Sequence, residues 1–178
     1  MKKTKTRLKP YKLALIIIVP ILLCSVYYPP EEVEIDYEPV IMKRDELEKS
    51  ITFQSARDLC RPGKIYLKDN YIFVNELYKG IHVINNSDPT APVKEGFIRI
   101  PGCQDIAILG SYLYADNAVD LITIDLSSLP AINVTSRIKN IYPDMLPPNC
   151  DEMPAVFTKD NRPENTVIIE WIKKGSEV

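Results

Sequence analysis

One pattern, used twice, governs what this chain of 178 residues can fold into. The run from Ile65 to Asn75 aligns with the run from Ile106 to Asp116 at an offset of 41 residues. Each predicts a strand, a two-residue turn and a second strand. Asp69-Asn70 and Gly110-Ser111 supply the residues that tight hairpins need. Gly80 to Asn85 then aligns with Asp120 to Asp125 at an offset of 40, a third strand ending on Asn or Asp. A turn follows each, Asn86 to Pro89 in the first copy and Leu126 to Pro130 in the second. A fourth strand is expected over Val93 to Ile100 and again over Ile132 to Ile141. Four strands in a period of about 40 residues is the outline of a β-propeller blade. The third strands are nearly continuous in apolar residues, as suits strands covered on both faces.

Composition points the same way. Fifteen prolines, ten tyrosines and only six glycines favour short extended segments joined by turns over a helical bundle. The expected fold class is all-β: two antiparallel, four-stranded, propeller-blade-like repeats with a C-terminal strand at Thr166 to Trp171, preceded by an N-terminal apolar helix. Residues 1–28 read as a signal or anchor segment, 29–50 as an acidic spacer with a short helix at Asp45 to Ser50, and 51–178 as the β-repeat domain. Two blades cannot close a ring. The two sheets are therefore expected to pack face to face, the last strand covering an edge, with Trp171, Tyr66, Tyr71, Tyr112 and Tyr114 supplying covering surface. Self-association that covers the open faces is the alternative.

Several stretches, Gly63 to Tyr66, Tyr78 to Pro89, Phe97 to Gly102 and Leu121 to Asp125, resemble the LVIVD-repeat, propeller-like surface proteins of bacteria. The resemblance spans about residues 63–143. It implies a fold and a place in the bacterial cell envelope, and it brings no set of catalytic residues with it. Many members of that family are envelope lipoproteins.

The N-terminus carries the order of an export signal. Lys2, Lys3, Lys5, Arg7, Lys9 and Lys12 precede the apolar run Leu13 to Leu23. Two modes of retention are open. Cys24, after Ile21-Leu22-Leu23, stands where a lipoprotein presents the cysteine that becomes acylated, although Leu23 is larger than such sites prefer. An uncleaved transmembrane helix from Tyr11 to Tyr28 is the rival reading, with its basic end inside and Tyr27 and Tyr28 at the outer interface. Either way residues 1–28 meet a membrane, and the acidic, proline-bounded run Pro29 to Pro39 would hold the domain away from it.

Those first 28 residues take six of the 22 basic residues and no acidic one, leaving 16 basic against 24 acidic. Phosphate backbones are bound through clustered Lys and Arg, so nucleic acid is not an expected partner. No nucleophile elbow, phosphate-binding glycine loop or metalloprotease motif occurs, and no cofactor or metal site is expected. An enzyme is not expected either. The alternative is a metal-dependent or hydrolytic activity using His82, the one histidine, or the strand-end carboxylates Asp105, Asp116, Asp120 and Asp125. Cys60, Cys103 and Cys150 match no zinc or redox spacing, and an oxidising envelope would allow Cys60 to pair with Cys150. Loops that join strands carry contacts, so Tyr78, Lys79, Gly80, Arg99, Gln104 and Asp105 are the candidate binding residues. The expected role is binding or scaffolding at the envelope, toward an envelope protein or a glycan.

Overall fold

A computed structural model describes residues 35–176. The expected signal or anchor, Cys24 and the first part of the spacer lie outside the described residues. Eleven strands follow in order: β1 (Tyr37–Lys43), β2 (Thr52–Gln54), β3 (Pro62–Lys68), β4 (Tyr71–Glu76), β5 (Gly80–Asn85), β6 (Val93–Arg99), β7 (Ile106–Leu109), β8 (Tyr112–Asn117), β9 (Asp120–Asp125), β10 (Asn133–Ile138) and β11 (Thr166–Lys173). One helical turn, α1 (Arg44–Glu48), follows β1, and a 3₁₀ turn spans Ala155–Phe157. The class is all-β, with antiparallel sheets of which none is closed.

Strands β3 to β6 form one meander and β7 to β10 a second, with β2 added beside β6 at the outer edge of the first. The two share a register. Tyr71 pairs with Asn85 as Tyr112 pairs with Asp125, and Ile81 with Ile98 as Leu121 with Ile138. Each meander slips by one residue at the same place, opposite Val83/Ile84 in the first and Thr123/Ile124 in the second. Such a slip is a β-bulge, which bends its strand and raises the local twist. The turns also agree. Asn85 Oδ1 accepts the Ser87 N–H at 3.0 Å and Asp125 Oδ1 accepts the Ser127 N–H at 2.9 Å. The two-residue hairpins turn on left-handed residues, Asp69 at φ 52° and Gly110 at φ 59°.

Alternation gives each meander two faces. On the first, Tyr66, Phe73, Ile81 and Val83 lie on one side, here called the front, and Ile65, Ile72, Val74, His82 and Ile84 on the back. Equivalent register puts Ala107, Tyr114, Leu121 and Thr123 on the front of the second, and Leu113, Ala115, Ile122 and Ile124 on its back. The main core joins Phe73, Ile81, Val83 and Ile98 to Leu113, Ala115, Ile122 and Ile124. The front of the first sheet therefore packs on the back of the second, as in a stack of like-oriented layers. Core residues of this kind contribute about 1.5–3 kcal/mol each through burial.

The expected edge-covering role of the last strand is corrected by the pairing observed. β11 forms a two-stranded ribbon with β1, Tyr37 opposite Lys173 and Lys43 opposite Thr166. Residues read from sequence as spacer are thus a strand of the folded unit, which begins at Ile35. Pro39 is tolerated because the ribbon is all edge. A second core cluster holds it in place, with Val167 and Ile169 against Leu47, Ala118 and Val119. Trp171 is buried, donates from Nε1 to the Met145 carbonyl at 3.0 Å, and meets the Phe157 ring edge-on at 5.2 Å.

Candidate functional site

A cleft of about 690 Å³ runs along the front of the second sheet. Tyr114 and Asp116 project into it from β8, where a spacing of two puts both on the front face. Tyr66 and Lys64 reach it from β3, and Gln104 and Asp105 from the link between the two sheets. Tyr142, in the irregular segment after β10, lines it as well. Three phenol rings and a few polar groups around a concave space of this size match the make-up of small-ligand sites.

The link that carries Gln104 and Asp105 is held rigidly. Asp116 Oδ1 accepts the Gln104 and Asp105 backbone N–H groups at 2.9 and 2.8 Å. Asn75, its equivalent in the first meander, donates from Nδ2 to the Gln104 carbonyl at 2.7 Å. One repeated position thus grips the link from both sheets. Burial pushes the Asp116 carboxyl up from its ordinary value, opposed by those N–H bonds. Cys103 lies below, buried, its Sγ donating to Asn75 Oδ1 at 3.4 Å. Burial first, and then the Asp116 charge, raise its thiol well above the usual range, so it stays protonated and unreactive. At the mouth, Lys64 Nζ meets Asp105 Oδ2 at 2.5 Å, both more than half exposed, a pair worth little to stability.

Of the six binding residues expected from sequence, Gln104 and Asp105 line the cleft and the other four build the scaffold beside it. Tyr78, at φ 65°, donates its N–H to the Cys103 carbonyl at 2.6 Å and accepts from the Gly102 N–H at 2.9 Å. Lys79 Nζ is bonded to the buried Glu170 of β11, as is Arg61. Gly80 is buried at φ 141°, and Arg99 Nη1 donates to the Ser50 carbonyl at 3.0 Å. Tyr66 and Tyr114, expected as covering surface, are cleft walls instead. Tyr142 carries no strand or turn signal that would mark it from sequence.

The alternative chemistry is dispersed. His82 Nε2 lies 2.6 Å from Glu76 Oε2, and Arg57 Nη2 lies 3.0 Å from the same oxygen. Arg57 also stacks 3.7 Å over the Phe97 ring, and the His82 ring meets Phe97 edge-on at 4.8 Å. His82 and Glu76 are buried and line no part of the cleft, so the group clamps the loop after β2 onto the back of the first sheet. Asp120 is fully buried in an ion-pair cluster, and Asp125 caps a turn. Among the described residues no group of three or more His, Cys, Asp or Glu side chains is placed to hold a metal. Cys60, Cys103 and Cys150 are all free thiols, so the Cys60–Cys150 bond expected from sequence is not formed in this structure.

Fold and cleft together define a class: an all-β protein of two stacked antiparallel meanders with a tyrosine-lined cleft on one open face. Comparison with protein-family models, with curated proteins and with solved structures finds no match. No helix among the described residues is long and apolar enough to cross a membrane.

Proposed function

We propose that this chain is an exported, membrane-tethered β-repeat module of the bacterial cell envelope, whose two meanders are propeller-blade-like units and whose work is binding. The observation that carries the reading is the cleft in which Tyr66, Tyr114 and Tyr142 flank Gln104, Asp105 and Asp116. Tyrosine offers a flat apolar face with a polar tip, and such rings beside amide and carboxylate acceptors suit the alternating C–H and hydroxyl surface of a sugar. An envelope glycan is therefore the favoured ligand, with an envelope protein as the other partner. The basic-then-apolar segment over residues 1–28 supports export and tethering, through acylated Cys24 or through an uncleaved helix.

The test is retention of the full chain, extracted in mild detergent, on immobilised envelope polysaccharide. Wild type should be retained, and Tyr114→Ala and Tyr66→Ala should each weaken retention at least tenfold. Retention that neither substitution changes, or no retention at all, contradicts the reading.

A further inference from the structure

The two sheets are mated through unlike faces, and this leaves one unlike pair unmated. The front of the first sheet is buried against the back of the second, so the chain exposes the back of the first and the front of the second. Those open faces are the register equivalents of the two that are joined. On the open back, Ile65, Leu67, Ile72 and Ile84 stand where Ile106, Ile108, Leu113 and Ile124 stand in the core. On the open front, Tyr114, Leu121 and Ile138 stand where Phe73, Ile81 and Ile98 stand.

A sheet face meant for water reads polar; the open back does not, and the open front sets Leu121 and Ile138 among Asp116, Thr123, Asp125 and Ser136. Ile65 and Leu67 remain 64% and 75% exposed, and Ile138 50%. The loop that carries Arg57 stacks on Phe97, beside the buried Val74 and His82 of the back, and in the next row Leu67 is exposed while Ile72 and Ile84 are half-buried. The open front carries Asp116 and Asp125 and no Lys or Arg on its strands, while on the open back Lys94 is paired with Asp58 and Arg57 with Glu76, so the contact is carried by apolar side chains and not by charge.

We infer that the chain assembles head to tail with copies of itself, the back of the first sheet of one copy packing on the front of the second sheet of the next. The contact continues the sheet-on-sheet interface already present inside each chain. It is heterologous, because the two surfaces differ, and heterologous contacts close into rings when the rotation allows. The copy number, though not the contact, rests on the blade reading above: propellers of four to eight blades take about two to four copies of a two-blade chain. In the assembly Tyr114 would take the buried place that Phe73 has inside the chain, so assembly and ligand would compete for that wall of the cleft.

Full-length chain in mild detergent, measured by light scattering corrected for bound detergent, tests this with Leu67→Glu on the back and Ile138→Glu on the front. Both side chains are exposed, so each variant keeps the thermal midpoint of wild type. Wild type should form a discrete species of about two to four copies, and each variant alone a monomer. Mixing the two variants should restore a one-to-one dimer, because one keeps an intact front and the other an intact back. A monomeric wild type, an oligomer that survives both substitutions, or a mixture that stays monomeric overturns the inference. Glycan retention by a monomeric wild type would leave the binding role standing while removing the assembly.

Discussion

Phe73 and Tyr114 occupy the same position in the two meanders, each on the front of a second strand, yet Phe73 is buried in the core and Tyr114 walls the cleft. Their substitutions should part company. Phe73→Ala leaves a cavity at the sheet-on-sheet interface and should cost about 3–5 kcal/mol in urea unfolding. Tyr114→Ala should cost under about 1.5 kcal/mol, since a half-buried side chain leaves no sealed cavity, while ligand retention falls.

Asp120 is the anchor of the second meander. Arg44 Nη2 reaches its two oxygens at 2.8 and 2.6 Å, Arg137 Nη1 donates at 2.7 Å, and the Asn140 N–H donates at 3.0 Å. Removing this carboxylate leaves two guanidinium groups short of their counter-charge in a dry site. Asp120→Ala should destabilise by about 3–5 kcal/mol, measured by urea unfolding at neutral pH.

Asp116 should make stability depend on pH with a particular sign. Its folded-state pKa is raised by burial, so the protonated form is favoured in the fold. That contribution is present below the unfolded value and is lost as pH rises through the folded one. Asn at this position keeps the oxygen that accepts the Gln104 and Asp105 N–H groups but carries no charge. Asp116→Asn should therefore gain on wild type in melting temperature between acid and neutral pH. A difference that is constant across that range, or that shrinks, contradicts it.

Gly80 and Gly110 both have positive φ, but only one is crowded. A Cβ on Gly80 would lie 2.0 Å from the Ile98 carbonyl oxygen, whereas one on Gly110 meets nothing within 4 Å. Gly110→Ala should cost about 1 kcal/mol, the strain of a left-handed residue. Gly80→Ala should abolish the cooperative unfolding transition or lower its midpoint by more than 10 °C, since about 2–4 °C accompanies each kcal/mol.

How much of this was legible in the sequence follows from the period of a strand. A spacing of two and turn residues at fixed offsets mark β3 to β5 and β7 to β9, and the register observed is the one the offsets of 41 and 40 imply. β1 was hidden because Glu38 and Pro39 read as spacer and its partner β11 lies at the far end of the chain. A strand whose one partner is so distant leaves no local pattern. The cleft was half legible. Gln104 and Asp105 follow from loop logic, but Tyr142 lies in a proline-rich stretch without regular structure, and only the fold brings it opposite Tyr114. Tyr78, Lys79, Gly80 and Arg99 looked like contact residues because loop exposure cannot be separated from loop packing without the partner segment, here Ile100 to Cys103.

Export is the claim on which the rest depends, and Cys60 offers a direct reading of it. Its thiol is free and exposed, while Cys103 is buried. Cells producing the full chain, converted to spheroplasts and treated with a membrane-impermeant maleimide, should label the membrane-bound protein, and Cys60→Ser combined with Cys150→Ser, which removes the other free and half-buried thiol, should lose most of that label. Labelling that appears only after the cytoplasmic membrane is broken, or a chain recovered in the soluble fraction, would contradict an exported and tethered module.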